Sequence, residues 1–99
     1  MNVINNRERQ RFEIALTDGA VAFAEYRLSA GRIMFPHTVV PAAHEGQGIG
    51  SRLVKESLDW AREERLAVVP QCSFYVTYMQ RHPETHDLLD PSCADLVRS

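Results

Sequence analysis

Three glycines at alternate positions, Gly46, Gly48 and Gly50, stand where the hydrophobic pattern of this chain changes its period, and that break constrains the architecture more than any other feature. Upstream, apolar residues come in short runs that suit strands. Downstream, at about 100° per residue, Ile49, Leu53, Val54, Ser57, Trp60 and Ala61 fall within an arc of roughly 140°. Arg52, Lys55, Glu56, Asp59, Arg62 and Glu63 share the opposite side, with Leu58 at the border. The glycine segment is therefore a strand-to-helix turn, and an amphipathic helix of about four turns follows it.

Before the turn, Asp18-Gly19 separates an apolar-rich run at 12–16 from one at 20–28, a strong hairpin signal. Ser29-Ala30-Gly31 closes the second run. Residues 32–40 then alternate, with Ile33, Phe35, His37 and Val39 expected on one side and Met34, Pro36, Thr38 and Val40 on the other. Pro36 has no N–H to donate, so the strand must bulge or lose a partner there. These three runs predict an antiparallel meander. After the helix, residues 66–69 form a short apolar run of the kind a buried parallel strand shows, ended by Pro70. Strand, glycine turn, helix and strand make a βαβ unit. A second short helix is predicted over 73–81, with Ser73 as N-cap and His82-Pro83 as its stop. From Glu84 onward the pattern is weak, with an extended stretch at Asp87-Leu88-Leu89. The fold class is α+β.

Ninety-nine residues leave room for one domain, 1–99, with its core at about 5–90. A two-half dinucleotide fold or an eight-fold barrel is too long for this chain. A net charge of −2 with dispersed basic residues gives no footprint for a nucleic-acid backbone, so no nucleic-acid partner is expected. The start lacks an apolar leader and no stretch is long enough to span a bilayer, which predicts a cytoplasmic protein with no membrane partner. Cys72 and Cys93 are too few for a disulfide framework, and no His/Cys spacing suggests a metal. An unsupported edge on so small a sheet leaves pairing into a homodimer open.

Glycines directly before a helix let the backbone approach a ligand and leave N–H groups at the positive end of the helix dipole. A phosphate or pyrophosphate fits there; the alternative is a turn whose glycines only meet backbone constraints. A dinucleotide fingerprint starting at Gly46 needs a glycine where Ser51 stands, and a phosphate-binding P-loop needs Gly-Lys where the chain has Ser51-Arg52. Neither nucleotide motif fits.

Val39-Val40-Pro41, then Gly46-Gln47-Gly48-Ile49-Gly50, then Leu53-Val54 on the helix resembles the acetyl-CoA-binding motif of the GNAT superfamily of N-acetyltransferases. The motif Q/R-x-x-G-x-G/A would run from 45 to 50. Position 45 is Glu45, so the resemblance implies pyrophosphate contacts from backbone amides, Gln47 or Arg52. A small branch of short GNAT-like proteins is similar over about 5–90, through His37-Thr38-Val39-Val40-Pro41, the glycine turn, Val69-Pro70-Gln71-Cys72-Ser73-Phe74 and Tyr78-Met79-Gln80-Arg81-His82-Pro83-Glu84. Val39 stands where that branch usually has Glu. The resemblance implies a minimal GNAT-like fold, acetyl-CoA as acetyl donor and a small-molecule or protein amine as acceptor. It implies cofactor contacts at Val39, Val40, Gly46, Gln47, Gly48, Ile49, Gly50, Ser51, Arg52 and Arg81.

Acetyl transfer needs positioning, a route for the amine's proton, oxyanion stabilisation and a proton for the departing thiolate. His37 is an imidazole, the side chain that exchanges protons near neutrality, or else a hydrogen-bonded residue beside the bulge. Cys72, at the start of the second helix, is an acyl acceptor or packs beside the pantetheine. Tyr78 matches the superfamily's proton donor to the CoA thiolate, or is a core aromatic. An enzyme, an N-acetyltransferase, stands against a binding module that holds acyl-CoA without transfer.

Overall fold

Alternating burial marks the strands. In the computed structural model, which describes residues 2–97, Phe12 and Ile14 are buried on β2 (Arg11–Ala15), and Ala22, Ala24 and Tyr26 on β3 (Val21–Ser29). On β4 (Arg32–Val39) the buried pair is Ile33 and Phe35. A further strand, β1 (Ile4–Asn6), precedes the expected meander and pairs with β2. It is three residues long with two asparagines, too short and polar to show a period. It is held by a distant contact, the Tyr26 hydroxyl donating to Asn5 Oδ1 at 2.8 Å.

The sheet order is β1–β2–β3–β4–β5, antiparallel throughout except that β5 (Ala67–Pro70) runs parallel to β4. The Asp-Gly signal forms the tip of a three-residue loop between β2 and β3. Leu16 N–H donates to Ala20 O at 2.9 Å and Gly19 takes φ +86°. Between β3 and β4, Ala30 (φ +45°) and Gly31 (φ +81°) both adopt the left-handed region that a two-residue primed turn demands.

Helix α1 (Ile49–Glu63) connects β4 to β5 and packs its apolar stripe on the sheet. Ile49, Leu53, Val54, Ser57 and Ala61 are buried, and Leu58, a border position in the periodicity, joins them. Phe12, Tyr26 and Trp60 form a cluster with ring centroids 5.4–5.8 Å apart. Helix α2 (Ser73–Arg81) packs against α1 and β5. Its N-cap is Cys72, one residue earlier than expected. Tyr75 enters the core from α2, stacked on Phe35 at 4.1 Å between centroids. The tail is not extended: Pro83–Leu88 and Pro91–Val97 are 3-10 turns, and only Leu89, bridging to Val68, keeps the extended form expected there. No helix among the described residues is long and apolar enough to cross a membrane.

Candidate active site

The bulge on β4 determines which side chains meet. Glu25 pairs with His37 and Arg27 with Met34, so Phe35 and Pro36 together face Tyr26 on β3. One inserted residue resets the alternation. Beyond it Thr38, paired with buried Ala24, lies on the helix side, while His37 and Val39 turn to the outer face. The expected grouping of His37 with Phe35 is thereby overturned. His37 is exposed, across from Glu25, with its ring 6.4 Å from that of Phe23.

Thr38 takes the place facing Cys72. The thiol donates to Thr38 Oγ1 at 3.4 Å instead of capping its own helix, and the Cys72 backbone N–H donates to Phe35 O at 3.0 Å. That last bond is where β4 and β5 part: β5 ends at Pro70 opposite Phe35, while β4 runs on to Val39. A groove of about 530 Å³ opens along the freed edge, from Thr38, Val39 and Val40 to Gly46, Gly48, Ile49, Gly50 and Ser51.

At the far end of this groove lies the start of α1. Gly46 (φ +83°) and Gly48 (φ +79°) both take left-handed backbone, and a Cβ at either would meet nothing within 4 Å. These glycines are demanded by the turn itself, not by crowding. Gly48 is the N-cap, with no side chain capping the helix and no acidic residue in its first turn. The first helical bond runs from Arg52 N–H to Gly48 O at 3.0 Å, so the N–H groups of Ile49, Gly50 and Ser51 have no helical acceptor. Three donors at the positive end of a fifteen-residue helix are an arrangement that can hold an anion.

Gln47 is held from below. His44 Nδ1 lies 3.3 Å from Gln47 Oε1, and His44 Nε2 lies 2.9 Å from Asp18 Oδ2 on the β2–β3 loop. The bond to Asp18, followed by the one to Gln47, raises the His44 pKa above its ordinary value. His44 showed no role in the sequence, because its partner Asp18 is distant along the chain. Arg52 pairs with Glu56 at 3.3 Å on the same helix, and Glu45 sits at the edge of the groove.

A second groove, of about 380 Å³, runs from the start of α1 along the length of α2 and is lined by Ser51, Thr77, Tyr78, Arg81 and His82. Ser51 and Phe74 line both grooves. Phe74, partly exposed, lies so close over Gly50 that a Cβ there would come within 2.4 Å of its Cε1. Gly50 is thus the one glycine of the three required by close approach. The Tyr78 ring stacks on His82 at 3.8 Å between centroids, and His82 Nδ1 donates to Tyr78 O at 2.7 Å. Burial raises the Tyr78 pKa, which keeps the phenol protonated at neutral pH. Cys72 and Tyr78 are six residues apart, about 9 Å along the helix, and face different sides of it. Among the described residues no group of His, Cys, Asp and Glu could hold a metal ion.

A family model described as GCN5-related N-acetyl-transferase matches residues 11–88, which span the meander, the glycine turn, α1, β5 and α2. The chain belongs to that family. It is 33% identical over 86 residues to Protein NATD1 of Mus musculus, covering 84% of this chain and 77% of that one. Protein NATD1 of Xenopus tropicalis is 31% identical over the same length, with 84% of this chain and 78% of that protein covered. In three dimensions the chain is similar to the solution structure of a GCN5-like protein from Staphylococcus aureus. The TM-score is 0.71 at 26% identity, over 90% of this chain and 87% of the other. The minimal GNAT-like architecture expected from the sequence is therefore the architecture of the chain.

Proposed function

We propose that this chain binds acetyl-CoA and transfers its acetyl group to an amine. The reading rests above all on one observation: an uncapped helix start, free of acidic residues in its first turn, ends a groove that begins at the open edge of β4. The pyrophosphate lies against the N–H groups of Ile49, Gly50 and Ser51, the pantetheine runs along Val39 and Val40, and Arg81 serves a phosphate from the second groove. The thioester then comes to the parting of β4 and β5, beside Thr38 and Cys72. In direct transfer the amine nitrogen attacks the thioester carbonyl, the C–S bond breaks, and the leaving sulfur takes a proton that reaches it through water from Tyr78 in the second groove. His37, on the outer face, accepts the proton the amine gives up. Transfer through Cys72 adds one step, in which the thiol sulfur first takes the acetyl group and releases CoA. On this reading the protein works as one domain, 1–99, in the cytoplasm, where Cys72 and Cys93 stay thiols.

A second reading is a module that holds acyl-CoA without transfer. It is favoured by the outer sheet face, where Phe23, Glu25 and Met34 are half-buried and Arg27 and His37 exposed, with no helix packed over them among the described residues. Calorimetry with acetyl-CoA, followed by CoA-thiol release with a panel of small amines and peptides, separates the two. Binding with turnover that falls in His37→Ala and Cys72→Ala supports the enzyme. Binding with no release above a double variant supports the module, and absence of binding defeats both.

A further inference from the structure

Strand pairing arranges the outer face of the sheet in rows. Asn6, Arg11, Glu25 and His37 stand side by side on β1, β2, β3 and β4, and the next row is Ile4, Glu13, Phe23 and Val39. The face is both apolar and charged. Ile4 and Val21 are 60% and 38% exposed, and Phe23 and Val39 between them are half-buried. Glu13 is bonded within the chain, by Arg11 Nε and by Asn6 Nδ2, the latter at 3.3 Å. Glu25 is held more loosely, because its ion pair with Arg27, at 3.7 Å, is longer than a hydrogen bond. Arg11 and Arg27 balance Glu13 and Glu25, so the face does not repel its own image.

We propose that this face pairs with the same face of a second copy of the chain, about a two-fold axis that runs along the strands between β2 and β3. Such an axis lays each β2 over the β3 of the other copy, and each β1 over the other's β4. Arg11 then meets Glu25 of the second copy at both contacts beside the axis. Ile4 covers Val39, Ala15 covers Val21, and Asn6 reaches His37. Opposite charges are matched and exposed apolar side chains are covered by apolar ones. The pairs beside the axis are also those that the usual twist of about −30° between packed sheets displaces least. An axis across the strands would instead set Glu25 on Phe23 and His37 on Val39. Four overlapping strands, about 4.8 Å apart and about 20 Å long, offer roughly 400 Å² in projection, so the pair is small and dissociates on the order of 10–100 μM. With Ile4 of the second copy over Val39, that copy walls the outer side of the ligand groove. This consequence rests on the acetyl-CoA reading; the pairing does not.

Sedimentation equilibrium of the full chain, from about 5 μM to about 1 mM, should show monomer giving way to dimer. Arg11→Glu and Glu25→Arg each set like charges across the axis and should weaken pairing by about tenfold or more. The two positions are also neighbours within one chain, so circular dichroism checks that each variant folds, and mixing separates the two effects. In an equimolar mixture of the variants, opposite charges face each other at both contacts only between unlike chains. Heterodimers should therefore form at least as tightly as the parent dimer. Ile4→Lys, at a position already exposed, should weaken pairing and leave the fold intact. A chain still monomeric at about 1 mM, a mixture that pairs no better than its components, or pairing indifferent to Ile4→Lys overturns the proposal. Monomeric behaviour leaves the face to another occupant, such as an acceptor polypeptide. Calorimetry with acetyl-CoA on the parent chain reads the cofactor separately, so either conclusion can fail without the other.

Discussion

The two helices whose starts frame the grooves are joined through one buried polar contact, and it gives a quantitative test of the packing. Tyr75 on α2 and Ser57 on α1 are both fully buried, with their oxygens 2.7 Å apart. Ser57 Oγ donates to Val54 O at 2.9 Å, so the phenol must be the donor between the two hydroxyls. Burial drives the Tyr75 pKa strongly upward, so it remains a neutral donor at any working pH. The two deletions are therefore unequal. Tyr75→Phe removes a donor and leaves Ser57 still bonded to Val54, a loss of about 1 kcal/mol. Ser57→Ala leaves a phenol O–H with no acceptor, a cost of about 2–3 kcal/mol, reduced by about 0.5 kcal/mol because alanine is the better helix former. In the double variant nothing is left unsatisfied, and the cost should drop to about 0.5–1 kcal/mol, far below the sum of the singles. Urea unfolding followed by Trp60 fluorescence, with all four proteins in one cycle, measures each quantity. If Ser57→Ala is no worse than Tyr75→Phe, or if the two add, the donor assignment and the idea of a phenol held by one acceptor are wrong.

Gly48→Ala forces a Cβ into left-handed backbone with no steric clash, so it should destabilise by about 1 kcal/mol in urea unfolding and weaken acetyl-CoA binding by calorimetry. Ala30→Asn should instead stabilise by about 0.5–1 kcal/mol, since the primed turn already holds this non-glycine residue at φ +45°; an unchanged urea midpoint would refute the turn assignment. Asp90 accepts bonds from Ser92 and Arg32, and the Ser92 hydroxyl above all holds its pKa below the ordinary value. Its stabilisation is therefore present above about pH 4 and lost as the pH falls through the lowered value, so acid unfolding of Asp90→Asn should be less steep than that of the parent.

What the sequence shows, it shows through local rules. The start of α1 was legible because Gly46 and Gly48 precede a 3.6-residue period, and α2 because Pro83 follows Arg81. Pro36 announced the bulge. Its consequence for His37 depends on which β3 residue takes up the extra one, a pairing that no local pattern contains. The same holds for Asn5, whose partner Tyr26 lies on another strand, and for His44, whose partner Asp18 lies on another loop. Of the candidates on the glycine turn, Gly46, Gly48, Ile49, Gly50 and Ser51 line one groove, and Gln47 and Arg52 do not. Of the three candidates for chemistry, the bulge turns His37 to the outer face, Cys72 lies against Thr38, and Tyr78 lines the second groove, so the structure does not bring them together.

The parallel join of β4 to β5 bears on how the chain assembles. The antiparallel pairs close through short turns, whereas Arg32 must find Ala67 across the whole of α1. Loop-closure entropy makes that join the slow one. The groove along Val39, Gly48 and Ser51 is built from this late seam, so an acetyl-CoA molecule bound there as proposed would clasp the part of the protein that opens first. Ligand present at a hundred times its dissociation constant adds about 2.7 kcal/mol to the folded state. Hydrogen exchange should show much of that protection concentrated in α1 and β5, leaving the β2–β3 hairpin nearly as it was.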